Sequence, residues 1–376
     1  MLRAVLTEKL SLTQLLTLII NFLLGSAIVI GVGLEAKRNA WIVVLIGMFI
    51  GIVVMLFYFY LISLLPGKNL FEIFEYCFKR PIAICLTVLY VTYFIYVSCR
   101  VIRDFGELIS SAILPLTPTE VVILTLMLVI GYILYMGIEV LGRTSEIFTP
   151  YTFGFMGILF IFLYAGGNIQ LFNIEPILAI KPHVMAHAIF PSIAVFPYGE
   201  LIAFTVILAN VTDFKYSKIV CLMGVAIASL ILAISVFLII VTLGENTAIR
   251  SNFPLLSAAR LVSIGEFIER IDAIVVFMMM LGILIKSSVF MYGGLKGLEY
   301  IFKRPFRYFS IPVACIISMF SILISTDFSD HIQEGILVSK YLIHLPMEYG
   351  IPVFVMGILL FKKWKKEKGS RKEMNA

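Results

Sequence analysis

Midway along the chain stands the stretch Phe196-Pro197-Tyr198-Gly199-Glu200, which interrupts an apolar run at positions 186–209. A run of this length can cross a bilayer, which takes about 20 residues. Pro197 removes a backbone donor and clashes with the preceding helical turn, so we expect the helix to break there. Freed backbone groups are tolerated in lipid only where protein or a water-filled cavity satisfies them. The stretch therefore predicts a broken membrane helix with a carboxylate, Glu200, near the membrane midplane.

Composition and hydropathy place the whole chain in a membrane. Hydrophobic residues make up 61% of the 376 residues and charged residues only 14%, with a mean hydropathy of +1.05, which excludes an ordinary soluble domain. The apolar runs are continuous instead of alternating, so they predict helices and not the strands of an outer-membrane barrel. We expect an all-α integral membrane protein that forms one membrane domain over residues 1–376. Its ten transmembrane helices, spans one to ten, are predicted at roughly 12–34, 41–65, 82–103, 120–138, 147–165, 186–209, 219–243, 267–292, 309–326 and 344–361.

The distribution of positive charge predicts the orientation of these spans. With both termini in the cytoplasm, 19 of the 29 Lys and Arg residues lie on the cytoplasmic side, nine lie on the other side, and Lys286 lies within span eight. Cytoplasmic loops carry an excess of positive residues. We therefore predict that both termini are cytoplasmic. The basic tail at 362–376 is interpreted as a topology anchor and not as a nucleic-acid patch.

Two interrupted spans at matching places predict an internal repeat. Span one is interrupted at Gly25-Ser26-Ala27, as span six is at Pro197-Tyr198-Gly199. These two spans begin two halves of five helices each, at about 10–165 and 184–361. Such a pair is typical of transporter sites built on an inverted repeat. The halves share no obvious residue identity, so the repeat is inferred from hydropathy alone.

Two ionisable residues lie inside the predicted spans. Glu200 either pairs with a cation or backbone donors and holds the break in shape, or acts as a proton acceptor or a contact for a ligand ammonium. Lys286 could replace a sodium ion as a fixed positive charge, pair with Glu200, or bind a ligand carboxylate. We favour pairing within the helix bundle for Lys286, and we expect both residues to take part in any charge coupling.

Backbone donors and tyrosines complete the predicted ligand site. The N-terminus of the second half of span one offers free N–H groups that attract an anion, and Gly25 leaves room for a carboxylate to approach. Span three supplies the hydroxyls of Tyr93 and Tyr96, which can share one helix face. The predicted ligand-binding residues are Gly25, Ser26, Ala27, Tyr93, Tyr96, Phe196, Pro197, Tyr198, Gly199, Glu200 and Ser287.

No motif of an enzyme rises above noise in this sequence. Hydrolase, nucleotide-binding and zinc signatures are absent, and the five cysteines are scattered without pairing, so we predict no catalytic residue, no metal and no cofactor. A charged cluster of Arg100, Arg103, Asp104 and Glu107 follows span three. We interpret it as a solvated helix end and not as a site.

Several short motifs, in order along nearly the whole chain, resemble one known family. They are Leu10-Ser11-Leu12-Thr13-Gln14, Asn39-Ala40-Trp41-Ile42, Leu114-Pro115-Leu116-Thr117-Pro118, Gly137-Ile138-Glu139 with Arg143 and Glu146, Asn173-Ile174-Glu175-Pro176 and Phe196-Pro197-Tyr198-Gly199-Glu200. Together they resemble the spore germination permeases, the B subunits of endospore germinant receptors in the amino acid-polyamine-organocation superfamily. Tyr198 stands where members often have Phe, and Asn39 where they often have Asp.

The resemblance implies a fold, a location and partners. It implies a LeuT-like bundle of 5+5 inverted repeats in the inner membrane of the spore, acting with an A subunit and a lipoprotein C subunit. It also implies a small ligand, such as an amino acid, held between spans one and six beside spans three and eight. The expected function is a nutrient-sensing receptor subunit. A proton- or sodium-coupled amino acid permease is the alternative, and a pore formed after assembly is a third possibility.

Overall fold

The computed structural model describes residues 9–179, 181–262, 271–325 and 328–374. Within these ranges it contains ten helical segments long and apolar enough to cross a membrane, and no strand beyond an isolated bridge between Leu10 and Val211. The prediction of an all-α protein with ten spans is confirmed. Spans one to ten run Leu12–Ile30, Leu34–Ser63, Arg80–Ala112, Thr119–Met136, Ile138–Ala165, Pro182–Asn210, Phe214–Arg250, Asp272–Phe302, Phe306–Leu323 and Val338–Lys368.

Span one begins at a capping box and changes direction at a glycine. The Ser11 hydroxyl accepts the backbone N–H of Gln14, whose side chain accepts the backbone N–H of Ser11 in return. The first helix ends at Leu24, because Gly25 adopts φ 23° and ψ −126°. This conformation is accessible to glycine but strained for a residue with a side chain. A short helix then resumes over Ala27–Ile30.

Span six leaves the helical conformation at two residues, each of which precedes a proline. Phe190 has φ −130° and ψ 125°, and Phe196 has φ −116° and ψ 118°. A proline ring disfavours the α conformation in the residue before it, which agrees with the position of both departures. Tyrosines of other spans satisfy backbone oxygens near the second departure. The Tyr349 hydroxyl donates to the carbonyl of Ala194 at 2.5 Å, and the Tyr58 hydroxyl to that of Gly199 at 3.0 Å.

The interrupted spans occupy the centre of the bundle. In their most apolar stretch, 78% of span one, 83% of span six and 78% of span eight is buried, against 28% of span five. Span seven packs against spans one and two, and span eight packs against spans one and three. Span nine lies at the side, against spans three and four. Short helices Leu70–Cys77 and Pro254–Ala259 connect spans and pack on the bundle through buried apolar residues.

Candidate functional site

Glu200 and Lys286 form an ion pair at the centre of the bundle. Lys286 Nζ lies 2.6 Å from Glu200 Oε2, and the two side chains are 0% and 4% exposed. The ammonium also lies 4.3 Å from the centroid of the Phe196 ring, in a cation–π arrangement. Of the alternatives that the sequence left open for Lys286, the structure therefore realises the pairing with Glu200.

Glycines create the space in which this pair sits. A Cβ atom on Gly25 would lie 2.6 Å from Lys286 Cδ, and a Cβ atom on Gly282 would lie 2.9 Å from the Gly25 Cα atom. Such distances are closer than packed carbon atoms allow, so spans one and eight approach this closely only because both residues lack a side chain. The space beside Gly25, predicted to admit a ligand carboxylate, holds the aliphatic stem of Lys286.

A second buried carboxyl group lies close by, on span ten. Glu348 is 0% exposed. Its Oε1 atom accepts the Tyr93 hydroxyl at 2.8 Å and lies 3.1 Å from His344 Nδ1. Its Oε2 atom lies against Gly199, where an added Cβ atom would come within 1.9 Å of it. A side chain at position 199 would therefore displace the carboxyl group of Glu348.

A cavity of about 370 Å³ adjoins the ion pair and is lined by residues of spans one, two, three, six, seven and ten. Its wall is apolar over residues such as Val97 and Ile193, but it also carries both signs of charge. The ionisable lining residues include Glu35, Arg100, Asp104, Glu200, Lys340 and His344. Such a cavity suits a small ligand that has both positive and negative groups.

Hydrogen bonds position the two lining cations. Lys340 donates to the hydroxyl of Ser192 at 2.8 Å and lies 3.6 Å from Glu35, which links the starts of spans two, six and ten. Arg100 donates to the carbonyl of His331 at 2.7 Å, and the His331 ring lies 3.0 Å from Asp104. Polar contacts thus join spans two and six to span ten, and span three to the short helix Phe328–Glu334 that precedes it.

The interpretation of Arg100 and Asp104 as part of a solvated helix end was wrong. Span three continues as a helix to Ala112, so both residues lie within it. Their side chains are each 12% exposed and line the cavity. The charges lowered the local hydropathy and made the apolar run look finished at residue 103.

Three of the predicted ligand-binding residues line the cavity: Ser26, Phe196 and Glu200. The Ser26 hydroxyl is buried, and no described residue offers it a hydrogen-bond partner. A buried polar group without a partner is costly, so this hydroxyl is available to a ligand.

The other predicted residues are not among those that line the cavity. Tyr198 donates to the Ser229 hydroxyl at 2.7 Å and packs on Gly51 of span two. Tyr96 contacts the Ser339 hydroxyl at 2.6 Å. The remaining members of the predicted set, apart from Tyr93 and Gly25 described above, are all buried: Ala27, Pro197, Gly199 and Ser287.

Sequence reasoning missed the residues of span ten. It placed the start of this span at residue 344, whereas the helical conformation already covers Gly335–His344. Glu348 then looked like a residue of the first turn, near a membrane face, instead of a buried one. The signal that could have found it is the spacing of His344 and Glu348, which puts them on one helix face.

The fold and site define a class: a multi-pass helical membrane protein that encloses a cavity with charges of both signs. Comparison with known proteins then identifies the family. A family model described as "Spore germination protein" matches residues 9–329, and the chain belongs to this family. The resemblance inferred from the sequence motifs is confirmed.

Three relatives come from Bacillus subtilis (strain 168). The chain is 33% identical to "Spore germination protein KB" over 97% of this chain and 98% of that protein. It is 27% identical to "Putative spore germination protein YfkT" over 72% of this chain and 73% of that protein. It is 23% identical to "Spore germination protein B2" over 70% of this chain and 72% of that protein.

Proposed function

We propose that the protein is the nutrient-sensing B subunit of a spore germinant receptor and that it binds its nutrient in the cavity between spans one, three, six and ten. The single observation that carries this proposal is the cavity itself, with charges of both signs beside the backbone interruptions at Gly25 and Phe196. Membership of the spore germination protein family supports the physiological role.

An amino acid is the ligand that this cavity suits best. A volume of about 370 Å³ is near the lower end of the range for small-molecule sites. Arg100 and Lys340 can attract a carboxylate, and Asp104 and Glu35 can attract an ammonium group. The free Ser26 hydroxyl adds a neutral hydrogen-bonding group. A zwitterion would meet complementary charge at both of its ends.

The proposed architecture is a LeuT-like bundle of 5+5 inverted repeats, with halves at about 10–165 and 184–361. The departures from helical backbone at Gly25 and Phe196, in the first span of each half, support it. With both termini in the cytoplasm, the lining residues at the end of spans one and three and at the start of spans two and six lie toward the opposite face. The cavity would then open away from the cytoplasm, as a sensor of external nutrient requires.

Binding would act by shifting a conformational population. A nutrient that binds one arrangement of spans one, six and ten better than another favours that arrangement by its difference in affinity. The A and C subunits in the spore inner membrane would then respond to the change. Span ten connects the cavity with the basic tail. It lines the cavity at Lys340 and continues as the helix Ile351–Met374 into that tail.

The test is the response of spores to a panel of single nutrients, compared between wild type and Arg100→Gln. This variant removes a cavity cation and keeps a polar side chain. The half-maximal nutrient concentration should rise at least tenfold, because a charge-assisted hydrogen bond contributes about 1.5–3 kcal/mol. Arg143→Gln is the matched control, since Arg143 pairs with Glu139 at an exposed position. Subunit abundance is measured by immunoblot, and equal dose-responses at equal abundance would place the ligand elsewhere.

A coupled amino acid permease is the second candidate, and the buried ion pair of Glu200 and Lys286 favours it. Intramembrane charges of this kind often mark ion and substrate pathways. Uptake of radiolabelled amino acids into proteoliposomes that contain this protein alone separates the two functions. Uptake that depends on a proton or sodium gradient would support the permease, whereas binding without uptake would support the sensor.

A further inference from the structure

The buried cluster around Glu348 contains two carboxyl groups and one ammonium group. The groups that face Glu348 come from spans two, three, six, eight and ten: Tyr58, Tyr90, Tyr93, Glu200, Lys286, His344 and Tyr349. Lys286 is already bound to Glu200 at 2.6 Å. If both carboxyl groups were ionised, the cluster would hold a second, uncompensated negative charge in a region shielded from water. A buried charge without a partner is strongly disfavoured.

The contacts of Glu348 differ between its two oxygen atoms. Oε1 accepts the Tyr93 hydroxyl at 2.8 Å and lies 3.1 Å from His344 Nδ1. Oε2 is buried against Gly199 and has no hydrogen-bond partner among the residues that the structure describes. An ionised carboxylate shares its charge between both oxygens, so one bare oxygen is costly. A neutral carboxylic acid avoids most of that cost, because its bare oxygen atom carries no net charge.

We propose that Glu348 binds a proton and is a neutral carboxylic acid in the resting protein, and that His344 connects this proton with the cavity. His344 contacts Glu348 through Nδ1, and its side chain is 12% exposed and lines the cavity. It is therefore a group that contacts both the buried acid and the cavity. The proton on Glu348 belongs to the resting protein and does not depend on the nutrient.

A proton fits this position better than a metal cation does. Sodium requires several oxygen ligands, but Oε1 and the Tyr93 hydroxyl already bond to each other. The backbone carbonyls of Glu348 and Gly199 share the one hydrogen of the Tyr58 hydroxyl, at 2.7 and 3.0 Å. The ammonium of Lys286 would also repel a second cation. A proton needs no coordination shell and removes the excess negative charge.

Infrared spectroscopy of the purified full-length protein in dodecyl maltoside micelles, which contain no ester carbonyl group, tests the proposal without any nutrient. Wild-type protein should show the carbonyl band of a protonated carboxyl group at neutral pH. Glu348→Gln should lose this band, whereas Glu139→Gln, at an exposed position outside the cluster, should keep it. Absence of the band in wild type, as expected if Glu348 were ionised beside a protonated His344, would overturn the proposal. So would its survival in Glu348→Gln.

Two further variants are expected to keep the band, so they test the proposal even if Glu348→Gln fails to fold. Glu348→Asp retains a carboxyl group with a different environment, so its band should shift in position but persist; a band unchanged in position would count against Glu348 as its source. In His344→Gln the band should remain, and its shift on transfer to deuterated water should slow several-fold because the route to the cavity is lost. An unchanged exchange rate would remove His344 from the proposal.

Discussion

Replacing Lys286 with Met tests the energetic role of the central ion pair. Methionine keeps an unbranched apolar stem, so the contact with Gly25 is retained and only the charge is removed. Glu200 is then left buried without its cation. We expect Lys286→Met to be strongly destabilised, and the double variant Glu200→Gln/Lys286→Met to recover most of the lost stability.

The magnitude follows from the geometry of the pair. Two unit charges 2.6 Å apart attract with about 6 kcal/mol at an effective dielectric constant of about 20. The cost of taking both groups out of water offsets much of this attraction. When one partner is removed, the other remains a buried charge without compensation. The free energy of unfolding of Lys286→Met should therefore fall by about 3–5 kcal/mol. Removing both charges should cost far less, because neutral replacements of a buried pair are often tolerated.

The assay is unfolding of the purified protein in mixed micelles by increasing amounts of sodium dodecyl sulfate, followed by circular dichroism. The free energies of the two single variants and the double variant form a cycle that isolates the coupling between Glu200 and Lys286. Lys296→Met is the matched control in the same helix, because Lys296 pairs with Glu299 near the helix end at partly exposed positions. It should lose less than about 1 kcal/mol. A double variant no more stable than Lys286→Met would refute the reasoning.

Two further substitutions probe the packing around the site. Gly199→Ala should sharply lower the abundance of folded protein in the membrane, because its Cβ atom would fall 1.9 Å from Glu348 Oε2, whereas Gly157→Ala, with open space around it, should leave abundance unchanged. Equal abundance of the two variants would contradict the close contact. Tyr198→Phe should lose about 1 kcal/mol in the same unfolding assay, since only the hydrogen bond to Ser229 disappears. A shift in nutrient preference without a change in stability would instead place Tyr198 at the ligand.

The number and approximate position of the spans could be predicted because a bilayer demands long, continuous apolar runs. Pro197 also indicated a change of backbone conformation near Phe196, because proline disfavours the α conformation in the residue before it. The ends of spans three and ten could not be predicted. Arg100 and Lys340 face an internal cavity, and hydropathy along the sequence does not distinguish a charge that faces such a cavity from one that faces water.

For the candidate site, the sequence indicated which residues matter but not how they are arranged in space. Glu200 and Lys286 could be recognised as functional candidates because each is an isolated charge in an apolar run. Their pairing depends on the relative rotation of spans six and eight, and tertiary packing fixes that rotation. The same applies to Tyr198, whose ring points toward Gly51 and away from the cavity.

Span ten gives the site a physical connection to the surface of the membrane. Lys340 and His344 line the cavity, and Glu348 lies four residues further on, among the buried groups. The regular helix that follows, Ile351–Met374, has 24 residues and so is about 36 Å long. This exceeds the hydrocarbon thickness of a bilayer, about 30 Å, so the basic end of the helix must emerge from it. Lys340 and His344 lie in the π-helical segment Gly335–His344, and a second such segment, Pro346–Gly350, joins it to this regular helix. Because helices bend at prolines and at π-helical turns, a ligand that displaces Lys340 or His344 would act on the basic end through this junction.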